Sequence, residues 1–97
     1  MLRIVVSPRA RDDVVGIATY TMSMWGEAQM SRYIDGLHAR FAELARFPGL
    51  GWPRDEMAPG YRSIVQSTHV VFYRTTTQEL VIVRILHGRM DPDRHLR

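Results

Sequence analysis

Arg62, Tyr73, Arg84 and His87 are the residues of this 97-residue chain whose types suit phosphoryl chemistry. His87 opens the run His87-Gly88-Arg89 directly after an apolar stretch. An unperturbed imidazole titrates near neutrality, so it can take or give a proton at working pH. Arg62 and Arg84 could hold a scissile phosphate through parallel N–H groups, with Tyr73 beside them, giving an RNA-cleaving cluster. Each residue also has a plainer reading. His87 can hold the following tail through a ring hydrogen bond. Arg84 interrupts Val81-Ile82-Val83-Arg84-Ile85-Leu86, and a charge inside an apolar strand needs a carboxylate or an opening to solvent. Strict alternation sets Arg84 on the side of Ile82 and Leu86. Arg62 and Arg74, on the two preceding runs, join it in a basic face only if all three share a side of the sheet.

Other chemistries find less support. There is no cysteine, which removes thiolate metal sites, disulfides and cysteine nucleophiles together. His38 falls within a helical pattern with no second ligand at a persuasive spacing, so no metal site is expected. No Gly-rich phosphate loop and no G-x-S-x-G elbow is present, and no cofactor is expected. All 13 basic residues are Arg; Lys is absent. Arg suits bidentate recognition but is a poor proton donor. Against 10 acids the net charge is +3. The absence of a membrane-spanning run and of an export signal predicts a cytoplasmic location and no membrane partner.

The elements that must position these residues follow from periodicity. Leu2 to Val6 is a short β-branched run that reads as a strand. Ser7-Pro8 is a helix start: Ser caps, and Pro at the first position loses no needed hydrogen bond. Ala10, Val14, Ile17, Thr21 and Trp25 then recur on one helical face, predicting a helix over residues 8–25. Gly16 weakens it by about 1 kcal/mol relative to Ala. After Gly26, the residues Met30, Ile34, Leu37, Phe41 and Leu44 repeat a second stripe, which Pro48 ends. Helices joined so closely must form an antiparallel hairpin. Residues 48–60 hold six Pro or Gly among 13 and read as an ordered loop. Runs 61–66, 69–75 and 80–86 are strand-like, with links short enough for hairpins. Asp91-Pro92 would open one last capped turn of helix. Tyr20, Trp25, Tyr33 and the methionines are either core or a stripe for a partner's helix.

Taken together, these blocks resemble ParE-type toxins of bacterial toxin–antitoxin pairs, within the RelE/ParE superfamily. Ser7-Pro8 with Ala10, Asp13, Ile17 and Tyr20 matches the first helix. WGEAQ at 25–29 with Tyr33 and Leu37 matches the turn and second helix. Leu44-Ala45, the run Pro48-Gly49-Leu50-Gly51 and Pro53 match the loop. Gly60-Tyr61-Arg62 and HVVFYR at 69–74 match the middle strands. IVRILHGRMD at 82–91 with Arg94-His95-Leu96 matches the C-terminal signature. Gly16 and Gly36 depart from the family, which usually has larger residues there; Met30 and Trp52 depart as well.

The resemblance implies an α+β fold over a single domain, residues 1–97. Its order is β-α-α-β-β-β, with an antiparallel α-hairpin on a small, antiparallel-rich sheet and a short C-terminal helical turn. It also implies a type II toxin that inhibits DNA gyrase and so replication, with no chemistry of its own. The alternative is a RelE-like, ribosome-dependent mRNA endoribonuclease using Arg62, Tyr73, Arg84 and His87. The implied partner is a ParD-like ribbon-helix-helix antitoxin, through which operator DNA is met only indirectly. Arg62, Arg84, His87, Arg89, Met90 and Asp91 are the expected gyrase contacts. Tyr20, Trp25, Tyr33, Ile34 and Phe41 are the expected antitoxin contacts.

Overall fold

A computed structural model describes residues 1–90 and 92–96. Strand β1 (Arg3–Val6) is followed by helices α1 (Pro8–Trp25) and α2 (Glu27–Arg46). A 3₁₀ turn (Pro48–Leu50) and a two-residue strand β2 (Trp52–Pro53) come next. The chain then meanders through β3 (Arg62–Gln66), β4 (His69–Thr75) and β5 (Glu79–His87), and ends in the short helix α3 (Pro92–Leu96). The sheet order is β1-β5-β4-β3-β2. The helical hairpin therefore carries the chain from one edge of the sheet to the other, and the meander walks it back. β1 pairs with β5 in parallel; the remaining pairs are antiparallel. The expected fold class and element order hold. The addition is β2, which lies in the stretch read as loop because two residues around Pro53 carry too little pattern to show a strand.

Local chemistry explains the helix ends. The Ser7 hydroxyl accepts from the Ala10 N–H at 3.1 Å, while Pro8 occupies the first turn. Gly26 closes α1 and opens α2 at φ 91°, a conformation that favours glycine. The core lies between the hairpin and one face of the sheet. Ala10 and Ile17 from α1 meet Leu37, Phe41, Leu44 and Ala45 from α2 and Val71, Tyr73, Leu80, Ile82 and Ile85 from the sheet. The first helical stripe ends one turn early: Thr21 is buried, but Trp25 is 70% exposed. It sits at the hairpin tip, beyond the sheet that the rest of the stripe covers.

A β-bulge corrects the expected face of Arg84. Phe72 pairs with Arg84, yet Tyr73 pairs with Ile82, leaving Val83 as an extra residue. Ile82 and Ile85 both join the helix-side core, so Arg84 and Leu86 take the opposite face from Ile82. Simple alternation fails there because one inserted residue shifts the phase of every later side chain.

Candidate functional site

β5 is nine residues long and β1 only four, so β1 covers just the first half of β5's outer edge. Beyond Ile82 that edge would carry unpaired backbone groups. The start of α1 supplies their partners. Ser7 N–H donates to the Ile82 carbonyl at 3.0 Å, and its hydroxyl donates to the Val83 carbonyl at 2.8 Å. Asp13 then accepts the Ile85 N–H at 2.9 Å.

The same carboxylate takes a two-point contact from Arg84, with Nε and Nη2 donating at 2.8 and 2.9 Å. Arg84 Nη1 donates to the His95 carbonyl on α3 at 2.8 Å. Both side chains are largely buried, at 13% and 14% exposure. The Asp13 hydrogen bonds raise the Arg84 pKa further above its usual value. Arg84 is thus a clasp that joins α1, β5 and α3. Its guanidinium is committed to these partners, and the plainer reading of a charge in an apolar strand describes its geometry. Its partner Asp13 carries no such signal in the sequence. A buried cation demands a carboxylate, but 71 residues of chain separate the two.

Tyr73 is equally committed. It is wholly buried, its hydroxyl donates to the Pro48 carbonyl at 2.7 Å, and it accepts the Gly51 N–H at 2.8 Å. Burial raises its pKa. The chain approaches so closely here that a Cβ on Gly51 would lie 2.5 Å from the Tyr73 hydroxyl. Arg62, paired with Tyr73 in register, donates to the Gly51 carbonyl at 2.7 Å. Arg62 and Tyr73 therefore meet at the 48–51 turn, whereas Arg84 meets Asp13 at the outer edge of β5. The four residues do not converge on one point.

His87 stands next to the clasp. It faces His69 across β4 and β5, with ring centroids 5.5 Å apart and planes at 80°. The His87 Nδ1 accepts the Arg89 N–H at 3.1 Å, which shapes the turn leading to Met90. Tyr33 donates its hydroxyl to the Gln66 carbonyl at 2.9 Å and meets His69 Nδ1 at 2.5 Å. With the tyrosine proton spent on Gln66, the His69 Nδ1–H is the donor in that contact. Burial lowers the His69 pKa; the neighbouring His87 lowers it too, and Asp13 opposes both. Among the described residues no three His, Cys, Asp or Glu stand where they could hold a metal ion.

Two open depressions flank α1. The first, about 550 Å³, is lined by Ile4, Val5 and Val6 of the edge strand, Val14 and Val15 of α1, and Phe41, with Arg11 and His38 among its walls. The second, about 350 Å³, is lined by Gly16, Ile17 and Tyr20 with Ile85 and Met90, and by His69, His87, Asp12 and Asp13.

The expected partner residues distribute around these features. Phe41 is buried and reaches only the floor of the first groove. Ile34 packs partly buried against the core, and Tyr33 is tied to Gln66 and His69. Tyr20 and Trp25 are exposed, and Tyr20 opens onto the second depression. His87, Arg89 and Met90 are exposed in the turn after β5. Asp91 lies outside the described residues. Among the described residues no helix is long and apolar enough to cross a membrane.

Comparison with known proteins gives a consistent family. The family model described as ParE toxin of type II toxin–antitoxin system, parDE, matches residues 4–92. The chain is 37% identical over 91 residues to toxin ParE1 of Caulobacter vibrioides, covering 94% of each. It is 37% identical over 95 residues to toxin ParE1 of Mycobacterium tuberculosis, covering 97% of each. A solved structure of the chromosomal ParDE system from P. aeruginosa shares the fold, with TM-score 0.76 and 18% identity over 90% of this chain and 96% of that one. The chain belongs to the ParE toxin family of type II toxin–antitoxin systems.

Proposed function

We propose that this ParE-family chain poisons DNA gyrase through surface contacts and is neutralised by a ParD-like antitoxin. Family membership supports the target class. One observation favours it over the ribonuclease alternative: two of the four residues that RNA cleavage would need are already spent. Tyr73 is buried between Pro48 and Gly51, and the Arg84 guanidinium is held by Asp13 and His95. His87 remains with His69 beside it, but Arg62 and Arg84 are held elsewhere and do not converge on the pair, and imidazoles without converging cations are a weak phosphoryl-transfer site.

Residues His87, Arg89 and Met90 make the turn that Arg84 and Asp13 help to fix, and they are the proposed gyrase contacts, with Asp91 beside them in sequence. Arg62 and Arg84 act behind that surface, each holding a neighbouring segment in place.

The antitoxin reading rests on the first groove. β1 is an edge strand, and Ile4 and Val15 are exposed beside it. An extended or helical segment can lay apolar side chains there, and its acids would meet Arg11. Burying what remains exposed of a side chain such as Val15 contributes about 1 kcal/mol, enough to offset part of a disordered segment's ordering entropy.

Purified chain added to gyrase tests the reading. Inhibition of supercoiling, with mRNA left intact in a translating extract, is the expected pattern. Cleaved mRNA with normal supercoiling would replace it by the ribonuclease.

A further inference from the structure

The second depression beside α1 has a shape and charge that the antitoxin groove does not. Neighbouring helical residues point about 100° apart. Arg11 consequently lines the groove against β1, while Asp12 lines the cleft against β5. The first flank suits an acidic segment. The second presents a carboxylate, Asp12, that is exposed and has no ion-pair partner among the described residues. Its other acid, Asp13, is neutralised by Arg84.

Gly16 forms part of the cleft wall. It sits mid-helix, where glycine weakens α1, and its backbone has no need of glycine's freedom: its φ lies outside the positive range, and a Cβ there would meet nothing within 4 Å. Packing within the chain therefore gives no reason for the missing side chain. What its absence does is keep the cleft open between Ile17 and Tyr20 on one side and Ile85 and Met90 on the other. The walls are fixed in advance: Asp13 ties α1 to Ile85 and Arg84, and the His87–Arg89 bond sets the turn carrying Met90. A preformed apolar cleft lowers the ordering cost of binding.

We propose that this cleft is the seat for the toxin's protein target, which inserts one apolar side chain over Gly16 and sets an adjacent Arg or Lys against Asp12. The inference rests on the toxin reading and extends it. Tyr20 then belongs to the target surface, together with His87 and Met90, and the two partners take opposite flanks of α1.

Gly16→Leu fills the cleft with a better helix former, and Asp12→Arg reverses its rim charge. Thr77→Arg, in the distant β4–β5 turn, is the control. Each full-length variant is tested for thermal stability, for inhibition of gyrase supercoiling, and for growth arrest when expressed in bacteria. Gly16→Leu should melt about 4–8 °C higher than the parent chain. Despite that, it and Asp12→Arg should each lose about tenfold or more in inhibitory potency, while the control stays unchanged. A stabilised Gly16→Leu that inhibits as well as the parent overturns the cleft and leaves the gyrase reading intact. If the parent chain arrests growth without touching gyrase, the gyrase reading fails. Growth arrest then decides the cleft: arrest lost in both variants supports it, and arrest retained in either overturns it.

Discussion

The two flanks of α1 are built by different physics. Against β1 and α2 the helix presents Val14 and Val15 to a groove floored by Phe41, and apolar burial shapes that side. Against β5 it presents Asp13 to Arg84 and to an unpaired backbone N–H, and charge-assisted hydrogen bonds shape that side. One helix thus separates a surface that a partner can complete by adding hydrophobic contact from one whose geometry is already fixed. Under the proposed function, the first flank suits an antitoxin and the second the target.

Breaking each flank should have a distinct signature. The largest effect is expected from Phe41→Ala, which opens a cavity beneath the groove and should cost about 3–5 kcal/mol in denaturant unfolding. Next is Arg84→Leu, which leaves Asp13 partly buried without its cation. It should cost about 3 kcal/mol, and Asp13→Asn together with Arg84→Leu should cost less than the sum of the two singles. Hydrogen exchange should report the difference in place: Arg84→Leu loosens residues 92–96, which it holds through His95, whereas Phe41→Ala does not do so selectively.

The histidine pair gives a smaller, pH-dependent effect. The His69 pKa is depressed in the folded chain by burial and by His87, with Tyr33 and Asp13 also packed around it. The unfolded state therefore binds the proton more readily. The stability this contributes is fully present above about pH 6.5, the unfolded value, and is lost as pH falls through the lower folded value. His69→Gln should flatten that slope in urea titrations between neutral and mildly acidic pH. The smallest effect is expected at the hairpin tip: Trp25→Ala, at an exposed site, should change stability by less than about 0.5 kcal/mol.

The legibility of the sequence divides along the same line. The groove flank is periodic. The helical stripes that hold Val14 and Phe41 predict it, because helical repeat and burial are local signals. The clasp flank is not periodic. Arg84 announces itself as a misplaced charge, but its partner Asp13 belongs to another element, and only the folded chain brings them together. The bulge at Val83 is likewise silent in an apolar run, and it moves Arg84 to the face opposite Ile82. Tyr73 looks like a candidate proton donor until the tight approach of Gly51 shows what its hydroxyl holds. Residues spent on structure and residues free for partners have the same types, and the difference lies in their distant neighbours.

The division of labour between the flanks can be read from one experiment: gyrase supercoiling with the parent chain and with Val15→Glu, each with and without a cognate ParD-like antitoxin. Val15 is exposed on the groove flank, so the variant keeps its fold while setting a carboxylate against an acidic partner. Both toxins should inhibit gyrase equally, and the antitoxin should relieve only the parent. Loss of inhibition by Val15→Glu, or its full relief by the antitoxin, would contradict the account.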